Sequence, residues 1–291
     1  MKNLLRLDDL SVNEIKEIVQ LALKLKQNKI KKQLTGKTIA NLFLENSTRT
    51  HYSFVQAENK LNIKYLDFAA SASSMNKGET LYDTIKVFDS LQVDAIIVRS
   101  AVDQWYKQVL GKVNAKLINA GDGKSDHPTQ TLLDLLTIYE QFKKFAGLKV
   151  LIVGDIVHSR VAHSNYNCFK RLGMEVYFAA PNNLKDKAYR YVDLDTYLPK
   201  VDVVNMLRIQ NERLEKGVKI QSNYNQVYGL NMKRVNKMKK NAIIIHPAPV
   251  NRNVEVNDDV VECKKSRIFA QMTNGMYVRM AVLTKILEGK K

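Results

Sequence analysis

Apolar residues in this chain come in short runs, separated by segments with the spacing of helices. Thr38–Leu44, Ile63–Phe68, Ala95–Arg99 and Lys116–Asn119 read as strands, followed later by Lys149–Gly154, Glu175–Ala180, Val201–Met206 and Ala242–His246. Ser11 and Glu14 stand at capping-box spacing, and Ile15, Val19, Ala22 and Leu25 follow on one face, which predicts a helix over about residues 12–29. Further helices are predicted at 48–60, 80–91 and near 103–112, and from Thr129 to Phe145, where Ala146-Gly147-Leu148 closes the run. Two more are expected near 159–172 and at 276–288.

Alternating strands and helices make a parallel sheet covered on both faces. The alternation halts at the long helix and restarts after it. The expected fold class is therefore α/β, with two doubly wound domains, each a mostly parallel sheet flanked by helices, and the active site in the cleft between them. The domains are expected at 1–130 and 131–291, with the terminal helix of about 276–291 packing back on the first. No internal repeat and no low-complexity segment is visible. In open α/β sheets, ligands bind beyond the carboxyl ends of the strands. Five polar clusters sit there: Ser47–Thr50, Arg99, Asp155–Arg160, Arg208-Ile209-Gln210 and His246-Pro247.

The first cluster belongs to Glu45-Asn46-Ser47-Thr48-Arg49-Thr50, where a strand gives way to a helix. Such a turn leaves the first backbone N–H groups of the helix pointing outward at the positive end of its dipole, a site for an anion such as phosphate. Asn and Ser before a helix are also ordinary caps, and on the hexapeptide alone capping is the better account. Arg49 in the first turn changes the balance, because the dipole disfavours a cation there unless an anion comes to meet it.

Charge and cysteine content narrow the picture. The 291 residues carry a formal charge of +17, from 46 basic and 29 acidic side chains, which raises nucleic-acid binding as a reading of another class. The basic residues are spread along the chain without a tail or arm, and pairs such as Lys31-Lys32 and Lys143-Lys144 flank apolar runs as solvated faces do. Anionic small substrates suit the charge equally well, so no nucleic acid is expected as a partner. Cys168 and Cys263 are far apart and lack metal-ligand spacing, so they read as thiols of a reducing compartment. Charge interrupts the apolar start too early for a signal peptide, and no apolar run approaches ~18 residues. A cytoplasmic protein without a membrane partner is expected.

Two more segments matter. His127-Pro128-Thr129-Gln130 opens the long helix, with Pro128 at a normal helix start and His127 at its mouth, a candidate donor to a developing oxyanion or simply a cap. Ser73-Ser74-Met75-Asn76-Lys77-Gly78-Glu79-Thr80 lacks apolar periodicity and is a loop. Gly154-Asp155-Ile156-Val157-His158-Ser159-Arg160 follows a strand but lacks the glycines of a dinucleotide turn.

Taken together, Ser47-Thr48-Arg49-Thr50, Lys77-Gly78-Glu79-Thr80 and His127-Pro128-Thr129-Gln130 resemble the carbamoyltransferase family in identity and order. Gly154-Asp155-Ile156 with His158-Ser159-Arg160-Val161-Ala162, Arg208-Ile209-Gln210, His246-Pro247-Ala248-Pro249, and Gln271-Met272 with Asn274-Gly275 and Val278-Arg279-Met280 extend the resemblance to nearly the whole chain, and to the aspartate-using branch. It implies transfer of the carbamoyl group of carbamoyl phosphate to L-aspartate, releasing phosphate, in the second step of pyrimidine (UMP) synthesis. Ornithine is the alternative acceptor. That branch carries a Cys in His-Cys-Leu-Pro, where this chain has His246-Pro247-Ala248-Pro249, and Arg208 would repel ornithine's cationic side chain.

The resemblance also implies roles. Ser47, Thr48, Arg49 and Thr50 would bind the phosphate, Arg99 would bridge phosphate and carbonyl oxygen, and His127 with Thr50 would polarise that carbonyl. Arg49, Thr50, Arg99 and His127 would thus be catalytic. Gln130 and the carbonyls of Pro247 and Ala248 would accept from the carbamoyl amino group. Arg160, Arg208, Gln210 and Lys77 would bind aspartate. Ser73 and Lys77 would reach in from the neighbouring subunit of a homotrimer, with Ser74 as an alternative to Ser73. No metal and no organic cofactor is implied, and regulatory chains are left open. Three positions depart from the family pattern: His51 for an arginine, His163 for an arginine, and Asn253 for a glycine. The first is expected to change packing around the phosphate turn, and the last to bear on the backbone of its loop.

Overall fold

The structure, a computed structural model, describes residues 1–209 and 223–288. It divides into two compact units, Met1–Leu136 with Met272–Lys291, and Thr137–Gln271.

Unit 1 begins with α1 (Val12–Lys26), which carries the predicted capping box: Ser11 and Glu14 bond reciprocally, and Ile15, Ile18, Val19, Ala22 and Leu25 are buried. Then come β1 (Thr38–Phe43), α2 (Thr48–Lys60), β2 (Lys64–Phe68), α3 (Leu81–Ser90), β3 (Ala95–Ser100), β4 (Lys116–Asp122) and α4 (Pro128–Phe142). The strands are parallel in the order β2-β1-β3-β4. β1 and β3 are central and buried nearly throughout, whereas the edge strand β2 is exposed along most of its length. The opposite edge is covered, because Leu4 bridges to Ile118 of β4.

Unit 2 contains β5 (Lys149–Val153), α5 (Arg160–Arg171), β6 (Glu175–Ala179), the short α6 (Leu194–Tyr197), β7 (Val203–Met206), α7 (Tyr224–Tyr228), α8 (Met232–Lys237), β8 (Ile243–Ile245) and α9 (Asp258–Val261). Its parallel order is β6-β5-β7-β8. Numbered from its own first strand, each unit thus has the order 2-1-3-4. In both, the order reverses between the first and third strands, the place where such sheets take ligands.

Two elements differ from expectation. The helix near 103–112 is only a 3-10 turn, Trp105–Gln108, entered through Gln104 at φ 51°. Trp105 and Tyr106 are both buried, and neighbours in sequence cannot share one face of a long helix. The terminal helix, α10 (Ile268–Leu287), starts earlier than residue 276 and runs through Asn274-Gly275. Gly275 does not break it, because the glycine makes room: a Cβ there would lie 2.7 Å from Nη1 of Arg279. Among the described residues, no helix is long and apolar enough to cross a membrane.

Candidate active site

The β1–α2 turn delivers Ser47, Thr48, Arg49 and Thr50 to the first turn of α2. Ser47 stands at the cap position, yet its side chain makes no capping bond. The leading N–H groups of α2 are therefore not taken by the residue best suited to take them. Arg49 and Thr48 are exposed and Thr50 is buried.

Arg99, near the end of β3, donates from Nη1 to the Ala120 carbonyl at 3.2 Å, and its Nε lies 3.5 Å from Glu45. The same Nη1 is 3.4 Å from Nε2 of His127, and Thr50 Oγ1 is 3.5 Å from that nitrogen. Thr50, Arg99 and His127 thus converge from the ends of β1, β3 and β4 through contacts long enough to yield to a better partner.

His127 is held from beneath. Its N–H donates to Asp126 at 2.7 Å, and Asp126 also accepts from the Leu7 N–H. Asp122 accepts from the Asp126 N–H, from Asn119 and from the Gln104 N–H. One turn into α4, Gln130 donates its amide nitrogen to Asp134 at 3.0 Å, which leaves its carbonyl oxygen as the acceptor.

Arg279 of α10 is buried. It donates to Thr129 Oγ1 at 3.1 Å and lies 4.9 Å above the Phe54 ring. Burial, and then the Arg99 guanidinium, push it down to about 9, so it stays a cation at neutral pH.

Ser73 and Lys77 lie on a 3-10 stretch, Ser74–Lys77, with Ser73 as its cap. The Ser73 hydroxyl donates to the Ala70 carbonyl and accepts from the Met75 N–H, whereas Ser74 and Lys77 are exposed. Among the described residues, neither Ser73 nor Lys77 is hydrogen-bonded to another of the candidate residues.

In unit 2 the equivalent turn, from β5 to α5, carries Arg160 at the first helical position. Here the cap is filled: Ser159 accepts from the Ala162 N–H at 3.2 Å, and Arg160 is buried. Gly154, at φ 126°, lets this turn approach the end of β7, because a Cβ would lie 2.9 Å from the Leu207 carbonyl. Arg208 follows Leu207 and is half-buried. Gln210 lies outside the described residues. Pro247 and Ala248 follow β8, with Ala248 at φ 54°.

The three departures resolve physically. His51 pairs with Asp67 at 2.7 Å and lies against Phe43, ring centroids 4.6 Å apart, tying α2 to β2 and β1. His163 is 3.3 Å from Asp186; burial pushes its pKa down against the pull of that carboxylate. Asn253 takes the left-handed conformation a glycine would take, φ 61°, and fixes it by bonding Asp258 both ways.

The sequence assigns no role to Glu45, Asp122, Asp126 or Arg279, although Glu45 and Arg279 stand within its motifs. The one available signal was the Asp-rich loop just before His127-Pro128, since acids so close to a helix mouth cap and orient it.

Residues 2–140 match the family of the aspartate/ornithine carbamoyltransferase carbamoyl-P binding domain, and residues 146–286 that of the Asp/Orn binding domain. The chain is 48% identical over 291 residues to the aspartate carbamoyltransferase catalytic subunit of Malacoplasma penetrans, covering 99% of this chain and 97% of that one. It resembles the catalytic subunit of M. jannaschii aspartate transcarbamoylase, with 33% identity, all of both chains covered and a TM-score of 0.87. It also resembles aspartate transcarbamoylase from Trypanosoma cruzi in complex with carbamoyl phosphate and aspartate, with 29% identity, 97% and 95% covered and a TM-score of 0.85.

Proposed function

The chain belongs to the aspartate/ornithine carbamoyltransferase family, and from that premise we propose that it transfers the carbamoyl group of carbamoyl phosphate to L-aspartate, giving N-carbamoyl-L-aspartate and phosphate in pyrimidine synthesis. The observation that carries this reading is the convergence of Thr50 Oγ1, Arg99 Nη1 and His127 Nε2 beside the uncapped start of α2.

The phosphate is held by Ser47, Thr48, Arg49, Thr50 and the leading N–H groups of α2. The carbonyl oxygen takes the place where Thr50, Arg99 and His127 meet. Gln130, with the carbonyls of Pro247 and Ala248, accepts from the carbamoyl amino group. Arg160, Arg208, Gln210 and Lys77 bind the carboxylates of aspartate. The deprotonated aspartate amine attacks the carbonyl carbon. As the C–N bond forms, negative charge grows on the oxygen facing those donors; then the C–O bond to phosphate breaks, a proton of the attacking nitrogen passes to the departing phosphate, and phosphate leaves. Preorganised donors of this kind are worth ~10²–10³ in rate each, and proximity of the two substrates contributes ~7–11 kcal/mol in the best cases. Phosphate is already a good leaving group, so the step needs no cofactor. Arg208 also disfavours a cationic acceptor such as ornithine.

The working enzyme is a homotrimer, with Ser73 and Lys77 serving a neighbour's site. Supporting this are the exposed strand β2, with Tyr65 36% and Leu66 40% accessible, Tyr52 on α2 at 63%, and the exposed Lys77. Cys168 is buried and Cys263 half-buried, both as free thiols, which suits the cytoplasm.

Two experiments test these readings. Purified protein given carbamoyl phosphate should release phosphate with aspartate and not with ornithine; the reverse preference overturns the assignment. Arg49→Ala and Lys77→Ala chains, each inactive alone, should recover roughly a quarter of wild-type activity when refolded together as a closed ring. No recovery in mixed trimers would place Lys77 outside the neighbour's site.

A further inference from the structure

Glu255 is fully buried, it is absent from the roles assigned above, and its carboxylate is a junction. Oε1 accepts from the Asn251 N–H at 2.5 Å and lies 3.3 Å from Nε2 of His246, itself buried. Each of those partners passes the constraint on. The Asn251 side chain donates to the Ile209 carbonyl at 3.2 Å, on the residue next to Arg208. Nδ1 of His246 accepts from the Ala248 N–H at 2.8 Å. A nitrogen that accepts carries no proton, so a neutral His246 has its proton on Nε2, the nitrogen 3.3 Å from Glu255 Oε1.

The His246 bond also holds Ala248 in its left-handed conformation, φ 54°, which a side-chain-bearing residue keeps only when its surroundings enforce it. The rest of the loop is tied down on the same side: the Leu230 N–H donates to the Glu255 carbonyl, and the His246 N–H to Gln271. Tyr224 is buried nearby, its phenol pushed up by burial and by the charges of Glu255 and Asp155.

Resting on the function proposed above, we propose that Glu255 is a positioning residue with two arms. One, through Asn251, sets the backbone of the Arg208 segment that receives the aspartate carboxylates. The other, through His246, sets the carbonyls of Pro247 and Ala248 that receive the carbamoyl amino group. One carboxylate thereby holds the contacts for both substrates in unit 2 in a fixed relation.

The arms can be cut separately in the full-length enzyme. Asn251→Ala removes only the bond to Ile209 and should raise the aspartate KM about 5- to 150-fold, the loss expected when a buried acceptor is left without its donor. His246→Phe fills the space without an acceptor for Ala248 and should raise the carbamoyl phosphate KM by a similar factor, while His246→Asn, which offers an amide oxygen near the place of Nδ1, should restore most of it. Glu255→Ala should move both constants, and Glu255→Gln, which keeps the accepting oxygen, should recover both. If Glu255→Ala does not fold, the single-arm variants still decide. Equal shifts of both constants in Asn251→Ala and His246→Phe, in step with a fall in Tm, would reduce Glu255 to a structural support and overturn the proposal, as would no shift at all. A wild-type enzyme that does not use aspartate would instead sink the functional reading beneath it.

Discussion

The two turns that open the two sheets are equivalent in topology and opposite in chemistry. Each follows the first strand of a 2-1-3-4 sheet and places an arginine in the first turn of a helix. At α2 the cap serine, Ser47, makes no bond and the arginine, Arg49, is exposed. At α5 the cap serine, Ser159, closes on Ala162 and the arginine, Arg160, is buried. An open helix end offers backbone donors to a compact, highly charged oxyanion. A closed end has used a donor internally, so recognition falls to side chains, and these suit carboxylates spaced along a carbon chain. Under the proposed function, one architecture would serve two different anions according to whether one hydroxyl caps.

The comparison can be tested from its strongest consequence downward. Arg160→Ala should raise the aspartate KM by ~30- to several-thousand-fold, the ~2–5 kcal/mol of a buried charge left without its partner, with phosphate inhibition unchanged. A matching loss of phosphate affinity would mean the two turns do not divide the anions.

Next is the far half of α2. Glu58 is fully buried, accepts from Asn41 at 3.0 Å, and is pushed up to about 7 by burial first, with the Asp67 charge adding and the Asn41 bond opposing. A carboxyl whose folded pKa exceeds its unfolded value stabilises fully below that unfolded value, and the stability is lost as pH rises through about 7. Glu58→Gln should therefore be more stable than wild type at pH 8 by about 3 kcal/mol and equal to it at pH 4, read from denaturation midpoints across pH. Parallel curves would mean Glu58 is already charged in the fold.

Ser47→Ala should weaken phosphate binding by ~10- to 150-fold, a hydrogen bond to a charged group, and leave Tm unchanged because no cap is lost. Ser159→Ala should do the reverse, costing ~0.5–2 kcal/mol of stability with phosphate affinity intact. If Ser47→Ala lowers Tm instead, its hydroxyl caps α2 and the contrast fails.

All eight strands among the described residues are legible in the sequence, as short apolar runs between segments of helical period. The equivalence of the two sheets is not, since side chains carry no repeat and the match exists only in strand order. The helix expected near 103–112 is a 3-10 turn in which the consecutive Trp105 and Tyr106 are both buried, a pattern that helical spacing does not produce. α10 starts before the expected residue 276 and includes Gly275, whose missing side chain is space for Arg279. The candidate site residues announce themselves by being polar at strand ends. Asp122, Asp126 and Glu255 do not, because an acid that accepts backbone N–H groups in the folded chain looks in sequence like any solvated acid.

The bare edge at β2 bears on how the chain must be handled in the laboratory. An edge strand with accessible Tyr65 and Leu66, paired to β1 on its inner side, is a template for indiscriminate pairing with other chains. Lys64 and Asp67 are its gatekeepers: alternation sends Lys64 to one face beside Leu66 and Asp67 to the other beside Tyr65, so neither face is uninterruptedly apolar. Replacing Lys64, which is exposed, would cost the folded unit little, whereas replacing Asp67 would also give up its 2.7 Å bond to His51; either change would open a route to inclusion bodies.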